Sequence, residues 1–210
     1  MRLTKLGHSC VRLEKDGARL VIDPGVWSGA DALSGADAVL ITHVHADHID
    51  TGVVRAALDA NSGLELWTTP DVAGDLSGYG SRVHAVHRGD AFTAAGFEVH
   101  VYGEEHARIH PDLPTVPNVG FAIEANVFHP GDAFTVPDEP VRTLLLPISA
   151  PWLKTSEMID YARAVRPRIS YGIHDDLLNA NGLGLVARLA DVLMGEGAYV
   201  RLEPGASAEV

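Results

Sequence analysis

Short apolar runs separated by turn residues fill the first part of the chain. Leu3 to Leu6, Cys10 to Glu14 and Arg19 to Ile22 have strand-like lengths and are rich in apolar or β-branched residues. Lys15-Asp16-Gly17 joins the last two runs, and Asp-Gly in that place is typical of a β-hairpin. The apolar run Ala38 to Ile41 predicts a fourth strand.

Strands and helices alternate through the rest of the chain. Asp50 and Thr51 form a capping signal for a helix that runs to about Ala60, where Asn61-Ser62-Gly63 marks its end. Pro70 begins a short helix. Further helices are predicted at Thr155 to Val165 and Leu183 to Met194. Further strands are predicted at Glu65 to Thr68, Arg82 to Val86, Ala91 to Thr93, Phe97 to Tyr102, Phe121 to Ile123, Asn126 to His129, Thr143 to Leu146, Arg168 to Ile173 and Tyr199 to Leu202.

The two halves of this pattern are similar, and no low-complexity linker divides them. We therefore expect a single α/β (α+β) domain over residues 1–210. Strands this apolar need cover on their faces, which favours two sheets packed face to face with helices outside. Pro111 to Pro117 is too short to be a linker and is predicted to be an ordered loop over a site at the shared edge of the sheets.

Composition narrows the functional classes. The chain has 210 residues, is 46% hydrophobic and carries a formal charge of −12, which argues against binding nucleic acid through its phosphates. Cys10 is the single cysteine, so metal ligands must be nitrogen or oxygen. We found no leader-like start and no long apolar stretch, and expect a cytoplasmic protein with a small-molecule substrate and no membrane partner. A homo-oligomer is compatible with the sequence.

The run His43-Val44-His45-Ala46-Asp47-His48 directly follows the fourth predicted strand. Each of its three imidazoles and its carboxylate can donate a lone pair, and such groups are costly at a buried strand end without a partner. Such a run arises by chance in roughly a few chains per thousand of this composition. In a loop, alternate residues can converge on one cation while the next pair serves another. The run predicts a metal site, with two metals plausible.

Further landmarks follow in a recognisable order. They are Gly7-His8, Asp23-Pro24, the histidine cluster, Gly103-Glu104-Glu105-His106, Gly131-Asp132 and Ile173-His174. With these motifs the chain resembles the metallo-β-lactamase superfamily, whose fold is a four-layer αββα sandwich with a metal site at the edge of its sheets. The segments from His106 to Pro114, Asn118 to Gly120 and His129 to Asp132 are most similar to the branch of L-ascorbate-6-phosphate lactonase.

The resemblance implies a ligand set. It assigns His43, His45 and His106 to a first metal, Asp47, His48 and His174 to a second, and Asp132 to a bridge between them. His100 and His110 compete with His106, but strand alternation directs His100 away from the site, and His110 suits a substrate pocket better. Two assignments keep simpler alternatives: Asp132 in an ordinary Pro-Gly-Asp turn and His174 as a core histidine.

Other polar residues are candidates for contacting substrate or orienting the ligands. They are His8, Asp23, His110, His129 and Asp175, with Asp176 beside the last. Asp23 before a proline also fits a simple strand exit. His84 and His87 are interpreted as solvent-facing. Trp27, Trp152 and Tyr79 either line an apolar pocket or anchor the core.

The implied chemistry is hydrolysis. Two cations about 3.5 to 4 Å apart lower the pKa of a bridging water towards neutrality, so that hydroxide attacks the substrate. Asp47 would orient this nucleophile or take its proton, and His8 is the second catalytic candidate. Zinc is the default metal, with manganese or iron as alternatives. We expect a small ester, lactone or phosphoester as substrate; a di-iron oxidoreductase of the same fold and a non-catalytic metal-binding module are the other hypotheses.

Overall fold

Two seven-stranded β-sheets form the centre of the protein in the computed structural model, which describes residues 1–210. The first sheet contains β1 (Arg2–Lys5), β2 (Val11–Lys15), β3 (Ala18–Ile22), β4 (Ala38–Ile41), β5 (Glu65–Thr68), β6 (Val83–Ala85) and β14 (Ser207–Glu209). The second contains β7 (Ala91–Ala94), β8 (Phe97–Tyr102), β9 (Gly120–Ile123), β10 (Val127–His129), β11 (Thr143–Pro147), β12 (Ile169–Ile173) and β13 (Ala198–Val200).

Both sheets have the same topology. In the first, the order is β14-β1-β2-β3-β4-β5-β6; the pairs up to β3 are antiparallel and those beyond it are parallel. In the second, the order is β13-β12-β11-β10-β9-β8-β7, with β7 to β10 antiparallel and β10 to β13 parallel. The prediction of two similar halves is confirmed.

Long loops connect β3 to β4 and β10 to β11, and helices connect the other four of the six parallel strand pairs. In the first half these are α1 (Thr51–Ala60) and α2 (Pro70–Asp75), with a 3-10 helix at Ser77–Arg82; in the second they are α3 (Thr155–Val165) and α4 (Ala180–Leu193). The side chain of Asp50 accepts hydrogen bonds from two backbone amides at the start of α1, as its predicted capping role requires. No helix has the length and apolar character needed to cross a membrane.

Three apolar layers hold the sheets and helices together. The central layer packs the sheets against each other and includes Leu13 from the first and Phe121 from the second. One outer layer packs α1 on the first sheet through Leu58, and the other packs α3 on the second sheet through Met158. All four residues of β4 are buried, because the strand is covered on both faces. The predicted four-layer αββα sandwich is confirmed.

Local turn chemistry explains the remaining agreements and differences. The β2–β3 hairpin turns at Asp16 and Gly17, whose φ angles of 52° and 88° are the positive values that its turn type requires. Helix α4 begins three residues before its predicted start, because Asn179 caps it by accepting a hydrogen bond from the amide of Gly182. Strand β14 was not predicted, since Ser207–Glu209 has no apolar run; it pairs with β1 through the backbone.

Candidate metal centre

The carboxyl ends of six strands meet at one edge of the sandwich. Strands β1, β3 and β4 run in one direction in the first sheet, as do β8, β10 and β12 in the second. Two backbone hydrogen bonds join the loops across the sheets: the amide of His174 donates to the carbonyl of His8, and that of Val119 to Thr42, both at 3.0 Å. Site residues that are distant in sequence therefore meet here.

The first group of ligand atoms belongs to His43, His45 and His106, and these atoms lie within 4.8 Å of one another. His43 Nε2 is 3.1 Å from His45 Nδ1. Burial and the neighbouring imidazoles hold the pKa of His43 well below its ordinary value. This ring is therefore neutral and keeps a lone pair for a cation.

The second group contains Asp47, His48 and His174, together with His8, again within 4.8 Å of one another. Asp47 Oδ2 is 3.4 Å from His174 Nε2, 3.5 Å from His8 Nε2 and 4.0 Å from His48 Nε2. The carboxylate thus stands among three imidazoles. Its own side chain keeps 21% exposure, so it faces the entrance of the site.

Asp132 lies between the two groups. Its Oδ1 is 3.1 Å from His48 Nε2, and its Oδ2 is 3.1 Å from His174 Nε2 and 3.4 Å from His106 Nε2. Trp152 Nε1 donates a 2.9 Å hydrogen bond to the same Oδ2. The carboxylate therefore contacts members of both groups, as a bridging ligand must.

Several inward-facing atoms of these residues are buried and have no hydrogen-bond partner. They are Nε2 of His8, His48, His106 and His174, and Oδ1 of Asp132. Leaving one such atom unsatisfied costs roughly 1–3 kcal/mol, and five of them converge here. The arrangement calls for positive charge: burial alone would lower the pKa of His174, yet Asp132 and Asp47 raise it to about 9. Nitrogen and oxygen donors arranged in this way fit divalent cations.

Hydrogen bonds on the far side of three rings fix which nitrogen faces inward. Nδ1 of His48 donates to Asp23 Oδ2 at 2.6 Å, and Nδ1 of His106 donates to the Ala107 carbonyl at 2.5 Å. Nδ1 of His174 donates to the Ser149 carbonyl at 2.5 Å. With Nδ1 acting as the donor, each ring can offer a lone pair on Nε2 to a cation that takes the place of a proton there, which is the usual arrangement behind metal-binding histidines.

His8 has the opposite arrangement. Its Nδ1 accepts a 3.3 Å hydrogen bond from the amide of Asp176, and burial keeps the pKa of the ring below its ordinary value. A neutral imidazole that accepts through Nδ1 carries its proton on Nε2. His8 therefore presents an N–H donor towards Asp47, where the neighbouring rings present lone pairs.

A family model described as a beta-lactamase superfamily domain matches residues 2–174. The chain belongs to the metallo-β-lactamase superfamily. Protein Rv0786c of Mycobacterium tuberculosis is 40% identical over 191 residues, which cover 88% of this chain and 89% of the relative. A UPF0173 metal-dependent hydrolase of Azorhizobium caulinodans is 34% identical over 149 residues, 63% of each chain. The solved structure of Igni18, a metallo hydrolase from Ignicoccus hospitalis, has a TM-score of 0.76 at 20% identity and covers 99% of this chain and 97% of its own.

Membership in the metallo-β-lactamase superfamily and the clustered donors together support a metal-dependent hydrolase. Asp23 is buried next to His48 and accepts hydrogen bonds from the amide and the hydroxyl of Thr42 at 2.8 and 2.7 Å. His129 donates from Nε2 to the Ser9 carbonyl at 3.0 Å and accepts the Gly131 amide at Nδ1. Both nitrogens of His129 are thus occupied in holding loops together.

Asp175 is grouped with His8 and Asp176 behind the second group, whereas His110 lies in neither group of ligand atoms. Asp175 is buried and pairs with Lys5 Nζ at 2.5 Å and with Arg201 Nε at 2.9 Å. The side chain of His110 is 61% exposed, and its Nδ1 accepts the amide of Asp112. The structure therefore does not bring His110 into either group of ligand atoms.

The remaining histidines and aromatic residues outside the site have their own packing. His100 is exposed on β8, as strand alternation predicts, and His87 is exposed as well. His84 is only partly exposed, because it stacks on Trp67 with ring centroids 4.7 Å apart. Tyr79 packs on the outer layer beside α1, away from the ligands.

Sequence reasoning did not find several residues that support the site. The sequence left open whether Trp152 lines a pocket or anchors the core; in the structure its indole N–H donates a hydrogen bond to the carboxylate of Asp132. Asn118 lies in the segment Asn118 to Gly120, for which the sequence predicted no function; its Oδ1 accepts a hydrogen bond from the amide of Asp132 at 2.9 Å. Thr42 stands directly before the histidine run, and its position between strand and cluster is the one signal that pointed to it.

Proposed function

We propose that this protein is a hydrolase with two divalent-cation sites that cleaves a small ester, lactone or phosphoester. The observation that carries the proposal is that Nε2 of His48, His106 and His174 and Oδ1 of Asp132 are buried without a hydrogen-bond partner, within two groups of donor atoms that Asp132 joins. A structural metal site needs four closed ligands and no bridge, so seven donors in this arrangement favour a reactive centre.

The residues divide between two cations as the family pattern implies. His43, His45 and His106 would hold one cation, Asp47, His48 and His174 the other, and Asp132 both. Cations bound there supply Lewis acidity and lower the pKa of a water molecule towards neutrality. Zinc is the default cation for such nitrogen and oxygen donors, and manganese and iron are accepted by similar sets.

Asp47 and His8 would handle the protons. The partly exposed carboxylate of Asp47 accepts a hydrogen bond from the attacking water, orients it and takes its proton. His8 Nε2–H lies 3.5 Å from Asp47 Oδ2 and donates a hydrogen bond to an oxygen of the substrate that gains negative charge. The amide of Asp176 holds the ring of His8 in this tautomer.

The decisive experiment combines elemental analysis of the purified protein with a panel of lactones, carboxylic esters, thioesters and phosphodiesters. Asp47→Asn should keep the fold and lose about 10²- to 10⁴-fold in turnover. Asp160→Asn is the matched control, because its side chain is 76% exposed on α3. His45→Ala should lower metal occupancy in the first group.

Each other outcome points to a different function. A fully loaded protein with no turnover on the panel contradicts the hydrolase. Bound iron with oxygen consumption supports a di-iron oxidoreductase, and one metal with four closed protein ligands supports a binding module. Full activity in both the Asp47 and His45 variants shows that the site has been misplaced.

A further inference from the structure

A cavity of about 270 Å³ opens beside the first group of ligands. Its lining includes His45 and His106 together with Ile109, Leu113, Pro114 and Val116; Ala107 and Thr115 complete it. No Lys, Arg, Asp or Glu side chain lines it. The cavity therefore joins the proposed reaction centre directly to an uncharged, mainly aliphatic surface.

The aliphatic wall is held in place by its backbone. The amide of His106 donates to the carbonyl of Val116 at 3.0 Å, and that of Ala107 to Asp132 at 2.8 Å. Pro111, Pro114 and Pro117 restrict the backbone between and beyond these contacts. The segment is thus anchored at its base on the ligand loops, and Ile109 and Leu113 remain 39% and 52% exposed.

Exposed apolar side chains are concentrated in the loops of this edge. Of nine large hydrophobic residues that are exposed, three lie on α4 or at its end. The other six are in loops that follow ligand-bearing or neighbouring strands: Val26, Trp27, Ile109, Leu113, Val136 and Leu177. Exposed apolar residues grouped around a polar centre mark a binding surface, whereas scattered ones need no explanation.

We propose that this cavity binds the hydrocarbon chain of the substrate's acyl group, which makes the substrate a carboxylic ester or lactone with an aliphatic acyl part. The inference rests on the proposed hydrolytic function and narrows it. The cavity has room for about nine groups the size of a water molecule, so acyl chains of up to about eight carbons fit. The carbonyl of such a chain would lie towards His45 and His106.

Chain length supplies the test. With p-nitrophenyl esters from acetate to dodecanoate, kcat/KM should rise about two- to fourfold for each added methylene and level off beyond about eight carbons. Leu113→Ser should flatten this slope, because it replaces a half-exposed wall residue without opening the core. Val192→Ser is the matched control, since Val192 is 71% exposed on α4, and it should keep the slope of the parent.

A second measurement separates the cavity from the reaction. In protein with ¹³C-labelled methyl groups and no added metal, n-hexanol should shift the resonances of Ile109 and Leu113 and leave that of Val192 unchanged. Methyl shifts without turnover of any lactone, carboxylic ester, thioester or phosphodiester support an apolar binding cavity and contradict the hydrolase. Ester turnover with no chain-length slope and no methyl shifts overturns the cavity proposal and leaves the hydrolase standing. Binding to phosphatidylcholine vesicles that Leu113→Ser abolishes, with a flat slope, assigns the surface to lipid and also overturns it.

Discussion

Replacing Asp23 with asparagine tests how the candidate metal centre keeps His48 in the tautomer that could bind a cation. Asp23 Oδ1 accepts the amide of Thr42, while Oδ2 accepts the hydroxyl of Thr42 and Nδ1 of His48. Asparagine has nearly the same size and tolerates the positive φ of 52° at this position. The substitution therefore changes the charge and the number of acceptors with little change in shape.

The expected magnitude follows from the lost acceptor. When the amide oxygen keeps the bond to the Thr42 backbone, the new NH₂ group faces His48 Nδ1, and two N–H donors cannot bond each other. His48 then places its proton on Nε2, the atom 3.1 Å from Asp132 Oδ1. Loss of the charged hydrogen bond should reduce the free energy of unfolding by about 1.5–3 kcal/mol. Metal affinity should fall about 10- to 100-fold.

Competition with a chromophoric chelator measures the affinity, and long-range ¹⁵N–¹H NMR spectra of the zinc-loaded protein show which nitrogen of His48 carries the proton. Asp50→Asn is the control. Asp50 caps α1 through 3.0 Å bonds from the amides of Gly52 and Val53, and asparagine caps equally well, so affinity should not change. An Asp23→Asn protein with parental affinity and the proton still on Nδ1 would refute the reasoning.

Three further predictions concern stability and reactivity. Lys5→Met removes one partner of a fully buried ion pair and should lower the free energy of unfolding, measured in urea, by about 3 kcal/mol. The control Lys154→Met, at an exposed lysine, should change this free energy by less than about 0.5 kcal/mol. Equal effects of the two substitutions would contradict a stabilising role of the Lys5–Asp175 pair. Zinc at 100 times its dissociation constant should stabilise the protein by about 2.7 kcal/mol, which raises Tm by about 5–11 °C in calorimetry; an unchanged Tm after chelation would count against tight binding. Burial raises the pKa of Cys10 to about 12, so at pH 8 roughly one thiol in ten thousand is ionised. Ellman's reagent should therefore react with Cys10 only after the protein unfolds. Stoichiometric labelling of the native protein would contradict the burial of this thiol.

The candidate ligand set, which the family resemblance implied, could be placed on the chain because these residues are clustered or follow predicted strands. His106, Asp132 and His174 each come after an apolar run, and parallel strand ends share an edge of a sheet. The bonds that orient the ligands could not be predicted in this way. The acceptors for His106 and His174 are the backbone carbonyls of Ala107 and Ser149, which depend on loop conformation and leave no mark in residue type.

The fold shows the same division. Strands with apolar runs were predictable from periodicity, as was α3, whose bounds match Thr155–Val165. Two glycines, Gly182 and Gly184, weaken the helical signal at the start of α4, and the cap at Asn179 compensates for them. Strand β14 forms because the edge of β1 is free to pair with it and because the hydroxyls of Thr4 and Ser207 lie 2.8 Å apart, within hydrogen-bond distance. Neither cause can be seen in a local window of sequence.

The ligand groups straddle the boundary between the two halves of the chain. Four donors, His43, His45, Asp47 and His48, come from the first half, and three, His106, Asp132 and His174, from the second. A cation shared by Asp132 and His48 would cross-link segments 84 residues apart, closing a long loop as a disulfide does. Sliding of one sheet over the other would then require breaking coordination bonds. The centre that is proposed to activate water would therefore also make the two halves unfold as one cooperative unit.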